Sequence, residues 1–129
     1  MEIRFENKVA FITGAAGGIG YAAARMFAEA GASVVMADLD SRVTDRAKEL
    51  EAEGHNAIGI RCDVSDEVQV KAAVEKAVAV FGKLDIAYNN VGIHAAVRED
   101  LAETEGWDFD RVISVNLRGV WNCMKLSLI

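Results

Sequence analysis

Proline is entirely absent from this chain of 129 residues, although average usage of about 5% would give about six. Its absence argues against a proline-rich linker and agrees with a chain dense in helices and strands. Long apolar runs are absent too, since no stretch approaches the roughly 18 apolar residues of a membrane helix. Residues 1–6 form no apolar block of the secretory type. We therefore expect one domain spanning residues 1–129, with no membrane association.

Cysteine is scarce, and positive charge is in deficit. Cys62 and Cys123 stand in apolar surroundings without metal-ligand spacing, so we expect no metal site and two reduced thiols in a cytoplasmic protein. The net charge of −6 argues against broad nucleic-acid binding, which needs Lys and Arg to neutralise phosphates. A single dinucleotide is still possible, because backbone amides can hold one pyrophosphate.

Four short apolar runs flanked by turn residues are predicted as strands, at residues 9–13, 33–37, 57–62 and 84–89. They do not alternate strictly, which is typical of parallel strands covered on both faces. Helical patterns lie between them. The third helix is expected to begin after Ser65 as N-cap and to end at Gly82, and a fourth helix to start at about Glu105. The first helix carries an apolar stripe of Ile19, Ala23, Met26, Phe27 and Ala30.

This alternation of strands and helices requires parallel strands joined by right-handed crossovers. We therefore predict an α/β fold with a doubly wound parallel sheet of Rossmann type, in strand order 3-2-1-4. Ligands of such sheets bind outside the carboxyl ends of the strands, at the switch point between strands 1 and 4.

The turn after the first strand is rich in glycine and leads directly into a helix, whose N-terminus offers free N–H groups to a pyrophosphate. Glycines punctuate many such turns, but this one also leads to an acidic residue at the end of strand 2. Gly20 is expected to let the helix lie close against the strand. The turn reads Thr13-Gly14-Ala15-Ala16-Gly17-Gly18-Ile19-Gly20. Gly14 is expected to allow the tight turn out of the strand, and Gly18 to let a phosphate approach the backbone. The dinucleotide-binding residues that we expect here are Gly14, Ala16, Gly18, Ile19 and Gly20.

The acidic residue is Asp38, 18 positions after Gly20. A carboxylate there can accept hydrogen bonds from the adenosine ribose and would repel a 2′-phosphate, so we expect NAD rather than NADP. Leu39 is expected beside it in the same site. Arg42 could weaken this preference, but it fits better on the exposed face of the second helix.

The spacing of residues 13–20 resembles the Thr-Gly-x-x-x-Gly-x-Gly pattern of the short-chain dehydrogenase/reductase family. Three further segments, covering essentially the whole chain, resemble that family in order. Asp63-Val64 is similar to its adenine-contacting pair, Asn89-Asn90-Val91-Gly92 to its Asn-Asn-Ala-Gly motif, and Val115-Asn116-Leu117 to the segment with its catalytic asparagine. The resemblance implies hydride transfer between NAD(H) and a small alcohol or carbonyl substrate, with Asn116 in a water-linked proton relay.

The residues themselves leave alternatives open. Asp63 could bond the adenine while Val64 packs on its ring, or Asp63 and Ser65 could cap the next helix, and both can hold. Asn90 and Gly92 suit a nicotinamide ribose, or they form a simple strand exit. Asn116 shares a predicted apolar stripe with Phe109, Val112, Ile113 and Val120, so it needs polar partners, and a structural asparagine bonding nearby backbone is the alternative to catalysis.

Transfer of a hydride to a carbonyl also needs a proton donor. The resemblance implies a tyrosine, a lysine four residues later and an upstream serine, all beyond the next strand. Tyr21 has Arg25 at the fourth position after it, and Tyr88 has Gly92 there, so neither tyrosine fits this pattern. His94 is more typical of a solvated loop residue. We expect a cofactor-binding portion that is inactive alone. The alternatives are half of a split enzyme, or an NAD-binding scaffold or sensing module.

Strand 4 would be an edge of this four-stranded sheet, and an apolar edge invites pairing with another chain. A homo-oligomer is therefore expected. Residues 94–105 are candidates for part of a substrate pocket, but their composition identifies no substrate.

Overall fold

The computed structural model describes residues 2–96 and 100–128. A 3₁₀ turn at Leu101–Glu103 precedes the last helical region, in which a π-helical turn at Ser114–Arg118 separates two α-helices. In chain order the elements are β1 (Val9–Thr13), α1 (Gly18–Glu29), β2 (Ser33–Asp38), α2 (Arg42–Ala52), β3 (Ala57–Arg61), α3 (Glu67–Phe81), β4 (Ile86–Tyr88), α4 (Gly106–Ile113) and α5 (Gly119–Ser127).

The four strands form one parallel sheet in the order β3-β2-β1-β4. The predicted fold class and strand order are confirmed. All five residues of β1 are buried, and the four apolar ones contribute alternately to two apolar clusters. Ile12 packs in one cluster with Met36, and Phe11 packs in the other with Val35. Because both faces of β1 and β2 are covered, neither strand shows apolar and polar residues in alternation.

The apolar stripe predicted on α1 coincides only in part with its buried face. Ile19 and Met26 are 71% and 70% exposed, and the buried residues are Gly20, Ala24 and Ala28. These three lie one turn apart on one face. Their small side chains let the helix approach the sheet closely, whereas Ile19 and Met26 lie on its outer side. Phe27 is partly buried and packs against one of the two apolar clusters.

The start of α3 also differs from the prediction. Its N-cap is Asp66, not Ser65, and the Asp66 side chain accepts a hydrogen bond from the N–H of Val68. Gly82 ends the helix as expected, with φ of 83° and an N–H that donates to Val78 O. Strand β4 covers only residues 86–88 of the predicted 84–89, and it is an edge of the described sheet.

The last helical region begins after Glu105, as predicted, but it contains a π-helical turn. Past this turn, Gly119 brings α5 against the segment after β3, since a Cβ on Gly119 would lie 2.6 Å from Val64 Cγ2. Cys123 and Leu126 of α5 then join the second apolar cluster. Among the described residues, no helix has the length and apolar character needed to cross a membrane.

Candidate functional site

A crevice of about 710 Å³ opens where the strands end, within the range of roughly 300–1,000 Å³ of small-molecule sites. The strand ends and the segments after them line it, together with Arg111 of α4 and the start of the π-helical turn. Its lining comprises Gly14, Asp38, Leu39, Asp40, Cys62, Asp63, Val64, Ser65, Asn90, Val91, Gly92, Ile93, Arg111, Ser114 and Val115. The crevice therefore lies where the predicted topology places a ligand.

The structure brings most of the predicted site residues together. Those that line the crevice are Gly14, Asp38, Leu39, Asp63, Val64, Asn90, Val91 and Gly92, and those that do not are Ala16, Gly18, Ile19, Gly20 and Asn116. Asp40, Cys62, Ser65 and Ile93 were missed although they flank predicted residues in sequence. Arg111, Ser114 and Val115 were missed too. Val115 belongs to the segment that resembles the family's catalytic one, but only its neighbour Asn116 was predicted as a site residue.

Two glycines of the turn, Gly14 and Gly20, stand at positions that other residues would not readily occupy. Gly14 has φ of 68°, a left-handed conformation. A Cβ on Gly20 would lie 2.0 Å from Gly14 O and 2.9 Å from Asn90 Nδ2, so this position admits no side chain without movement of the backbone. Gly17 is the N-cap of α1 and has no side chain that could accept hydrogen bonds from the first N–H groups of the helix. These N–H groups are therefore available to other acceptors.

Asp38 joins the end of β2 to the glycine turn. Its Oδ2 accepts a hydrogen bond from Ala16 N at 2.9 Å, and its Oδ1 accepts one from Asp40 N at 3.0 Å. A carboxylate has about four acceptor positions, so two backbone bonds leave capacity for ligand hydroxyls. Arg42 is exposed, as predicted, and its guanidinium lies 2.7 Å from Asp40 Oδ2. That contact lowers the pKa of the Asp40 carboxyl below its ordinary value.

The Asp63-Val64 pair meets the crevice beside a local turn. Asp63 Oδ1 accepts hydrogen bonds from Ser65 N at 3.0 Å and Ser65 Oγ at 2.6 Å. Val64 lines the crevice although it is almost fully buried. Asp63 therefore closes a local turn with Ser65 but does not cap α3, whose N-cap is Asp66. It also lies in the crevice, as contact with an adenine would require.

Thr13 orders the segment after β4. It is only 2% exposed, and its Oγ1 accepts hydrogen bonds from Asn90 N at 3.0 Å and Val91 N at 3.4 Å. Thr13 was quoted within the glycine pattern but was not predicted as a site residue. The pairing joins residues 77 apart, and such a long-range partner leaves no local signal in the sequence.

Thr13→Val should therefore destabilise the protein by about 1–3 kcal/mol, because the isosteric side chain leaves the Asn90 amide without its acceptor. Thr13→Ser, which retains the hydroxyl, should lose clearly less. Urea unfolding of the two variants measures the difference. Equal stability of Thr13→Val and the unmodified chain would show that this hydroxyl does not hold the segment.

Asn116 lies in the π-helical turn, and both ends of its amide contact Ile93. Its Oδ1 accepts from Ile93 N at 2.8 Å, and its Nδ2 donates to Ile93 O at 2.7 Å. The expected buried stripe was wrong, since Asn116 itself is exposed, as are Phe109 and Ile113. The side-chain amide of Asn116 thus has backbone hydrogen-bond partners at both ends. The π-helical turn that contains it is of a kind that occurs frequently at functional sites.

The buried carboxylate of Asp108 binds the backbone of the segment that follows Ile93. Asp108 is 3% exposed, and its two oxygens accept from Ala96 N at 3.1 and 3.0 Å. Arg111 donates to Asp108 Oδ1 and to His94 O, both at 3.0 Å. His94 is exposed. Of the candidate substrate segment at 94–105, residues 97–99 lie outside the described part of the chain.

The two cysteines are free and buried. Burial raises the pKa of Cys62 to about 12 and that of Cys123 to about 11, so both thiols are protonated at neutral pH. Within residues 2–96 and 100–128, no three His, Cys, Asp or Glu side chains are grouped so that they could hold a metal ion.

Comparison with known proteins gives matches along nearly the whole chain. A family model described as short chain dehydrogenase matches residues 8–128. Secoisolariciresinol dehydrogenase of Forsythia intermedia is 45% identical over 123 residues, which make up 95% of this chain and 44% of that protein.

Two solved structures share the fold closely. A short chain dehydrogenase/reductase from Burkholderia phymatum in complex with NAD has a TM-score of 0.90 and 37% identity, covering 96% of this chain and 44% of that one. A gluconate 5-dehydrogenase from Burkholderia cenocepacia J2315 in complex with NADP and tartrate has a TM-score of 0.89 and 35% identity, covering 98% and 49%. This chain spans less than half the length of these three proteins.

Proposed function

This chain belongs to the short-chain dehydrogenase family, and from that premise we propose that its crevice binds NAD. In the complete enzyme the bound cofactor would exchange a hydride with a small alcohol or carbonyl substrate. The observation that carries the proposal is the position of Asp38, which lines the crevice and is bonded to the glycine turn at Ala16. A carboxylate beside a phosphate-binding turn suits the adenosine ribose of NAD.

The proposed placement of NAD follows the crevice from one side to the other. The pyrophosphate lies at the start of α1, where helix amides and the positive end of the helix dipole favour an anion. Asp38 and Leu39 then lie at the adenosine ribose, with Asp63 and Val64 at the adenine. The nicotinamide end of the cofactor would contact Asn90, Val91 and Gly92, which follow β4. The phosphate-binding residues are Gly14, Ala16, Gly18, Ile19 and Gly20.

Asp38 also supports NAD over NADP. One solved relative holds NAD and another NADP, so the choice depends on the residues of this chain. Asp38 would repel a 2′-phosphate, and the guanidinium of Arg42 is engaged by Asp40. Arg61 pairs with Asp38 across β2 and β3, but its Nε donates to Leu39 O and it does not line the crevice.

For the reaction itself, we propose that Asn116 acts as a positioning residue. Its two bonds to Ile93 support this part, because they order the backbone directly after Gly92. The water-linked proton relay that the family resemblance implies for Asn116 would depend on this ordered backbone. Neither tyrosine of these 129 residues has a lysine four positions later, so we propose that this portion binds NAD without turnover by itself.

Calorimetric titration of the 129-residue chain with NAD and with NADP tests the proposal. We expect saturable NAD binding and an affinity for NADP at least about tenfold lower, a difference of about 1.4 kcal/mol. Equal or tighter binding of NADP would contradict the NAD assignment. If neither binds to a sample with a dispersed amide NMR spectrum, the proposal of a self-sufficient cofactor site fails.

We further propose that copies of this chain associate through the last helical region. Several large apolar side chains are exposed there, and β4 lies at the open edge of the described sheet with Tyr88 also exposed. Burial of such side chains against a second copy would remove apolar area from water. The exposed residues are Trp107, Phe109, Leu117, Trp121 and Met124.

Light scattering should therefore give a mass of at least two copies of the 13.9 kDa chain. Leu117→Glu, at a side chain that is 64% exposed, should shift the population toward monomer because a charge at the contact must be desolvated. Val68→Glu introduces the same charge at an exposed apolar position on α3 and should leave the mass unchanged. A monomer that persists at high concentration would rule out the association.

A reducing, cytoplasmic compartment is proposed as well. Cys62 and Cys123 are unpaired and buried, a state that reducing conditions preserve. Fractionation of cells that express the tagged protein would test this, and recovery outside the cytoplasm would contradict it.

A further inference from the structure

We propose that Arg46 is a positioning residue for cofactor binding, because it fixes the glycine turn from outside the crevice. The proposal rests on the proposed NAD-binding function and adds to it a residue of α2 that no sequence pattern indicated. Arg46 contacts the backbone of the turn, so it would act on the cofactor through the first amides of α1.

The peptide groups of Ala16 are held on both sides. Arg46 Nε donates to Ala16 O at 3.2 Å, while Asp38 Oδ2 accepts from Ala16 N at 2.9 Å. Ala16 directly precedes Gly17, the N-cap of α1, so its orientation sets the direction in which the chain enters the helix. A glycine-rich turn has few conformational restraints of its own. The two external hydrogen bonds therefore select one geometry for the amides that would meet the pyrophosphate.

Arg46 is itself held in place by a contact between α1 and α2. Its Cζ lies 5.3 Å from the centroid of the Tyr21 ring, and its Nη1 donates to Glu49 Oε1 at 2.9 Å. Tyr21 completes the arrangement, because its hydroxyl donates to Glu49 Oε2 at 2.9 Å. An arginine fixed by a ring and a carboxylate presents its Nε–H in a set direction. That N–H is the one that reaches Ala16.

Arg25 provides a matched control on the other helix. Its Cζ lies 5.5 Å from the same Tyr21 ring, and its Nη1 pairs with Glu53 at 2.6 Å. The two arginine side chains are 33% and 35% exposed. The hydrogen bonds of Arg25 go to Tyr21 and Glu53, away from the glycine turn. Both arginines contact the Tyr21 ring and form ion pairs, Arg46 with Glu49 and Arg25 with Glu53 and Glu29. Only Arg46 also bonds the turn.

The experiment compares Arg46→Ala and Arg25→Ala in the 129-residue chain by calorimetric NAD titration and thermal unfolding. We expect both variants to lose thermal stability, because each loses its contact with the Tyr21 ring and its ion pairs. The Kd for NAD should rise about tenfold in Arg46→Ala, since a bond from a charged donor to the turn is lost, and stay within about twofold in Arg25→Ala. An equal rise in both variants, or no rise in Arg46→Ala, would overturn the proposal.

Amide hydrogen exchange in the cofactor-free protein separates this proposal from the proposed function. Exchange at Ala16, Gly17 and Gly18 should be faster in Arg46→Ala than in the unmodified chain, and unchanged in Arg25→Ala. If the unmodified chain does not bind NAD, the proposed function fails, and exchange alone decides whether Arg46 orders the turn. Unchanged exchange in Arg46→Ala would overturn that role in either case.

Discussion

Gly20→Ala is expected to eliminate measurable NAD binding and to lower the free energy of unfolding by about 3 kcal/mol, the upper part of the usual range for overpacking. The added Cβ would lie 2.0 Å from the carbonyl oxygen of Gly14. That atom belongs to the backbone, so a change of rotamer cannot relieve the overlap, and α1 must move away from β1. Movement of the helix displaces the amides at its start from the crevice.

Gly17→Ala is the matched control, three residues earlier in the same turn. Gly17 has an extended backbone with φ of −172°, and a Cβ there would meet no atom of the described residues within 4 Å. We expect this variant to unfold within about 1 kcal/mol of the unmodified chain, as its backbone is compatible with alanine. Urea unfolding and NAD titration of both variants provide the comparison. Normal stability and binding in Gly20→Ala would mean that close packing of α1 is not required.

Asp38→Ala is expected to weaken NAD binding about tenfold to a hundredfold, because hydrogen bonds to a charged group contribute about 1.5–3 kcal/mol. Two effects combine in this loss. The carboxylate would no longer accept from the ribose hydroxyls, and Ala16 N would lose its acceptor in the glycine turn. NADP should lose less affinity than NAD, since removal of the negative charge also removes the repulsion of its 2′-phosphate.

Asp45→Ala controls for the change in net charge. Asp45 lies exposed in the first turn of α2 and is not part of the crevice lining. Calorimetric titration of both variants with NAD and NADP gives four affinities relative to the unmodified chain. The expected pattern is a lower ratio of NAD to NADP affinity in Asp38→Ala alone. Equal losses for both cofactors would show that Asp38 acts only on the turn and not on the ribose.

The positions of the strands could be predicted because each βα unit carries its own local signals, and their order is that of a doubly wound sheet. Apolar runs, glycine stops and helical spacing placed β1, β2 and β3 within one residue of their bounds. The parallel arrangement then follows from the helices between them. The crevice was predictable for the same reason, since the topology fixes where the strand ends meet.

Other features depend on which side of an element meets its neighbours. The exposed Ile19 and Met26 show that the most apolar stripe of α1 is not its buried face, since close approach to the sheet selects small residues instead. Asn116 was expected on a buried stripe, but the π-helical turn changes the helical spacing at that point, and the amide bonds Ile93. Thr13 and Arg46 were missed because their partners lie 77 and 30 residues away.

The most direct test of the central claim is an NMR titration of the 129-residue chain with NAD, followed at each backbone amide. The account predicts saturable shifts at residues 14–20, 38–40, 62–65 and 90–93, with the amides on α3 away from the crevice unchanged. Absence of saturable shifts, or shifts confined to another surface, would contradict the claim that this crevice is the cofactor site.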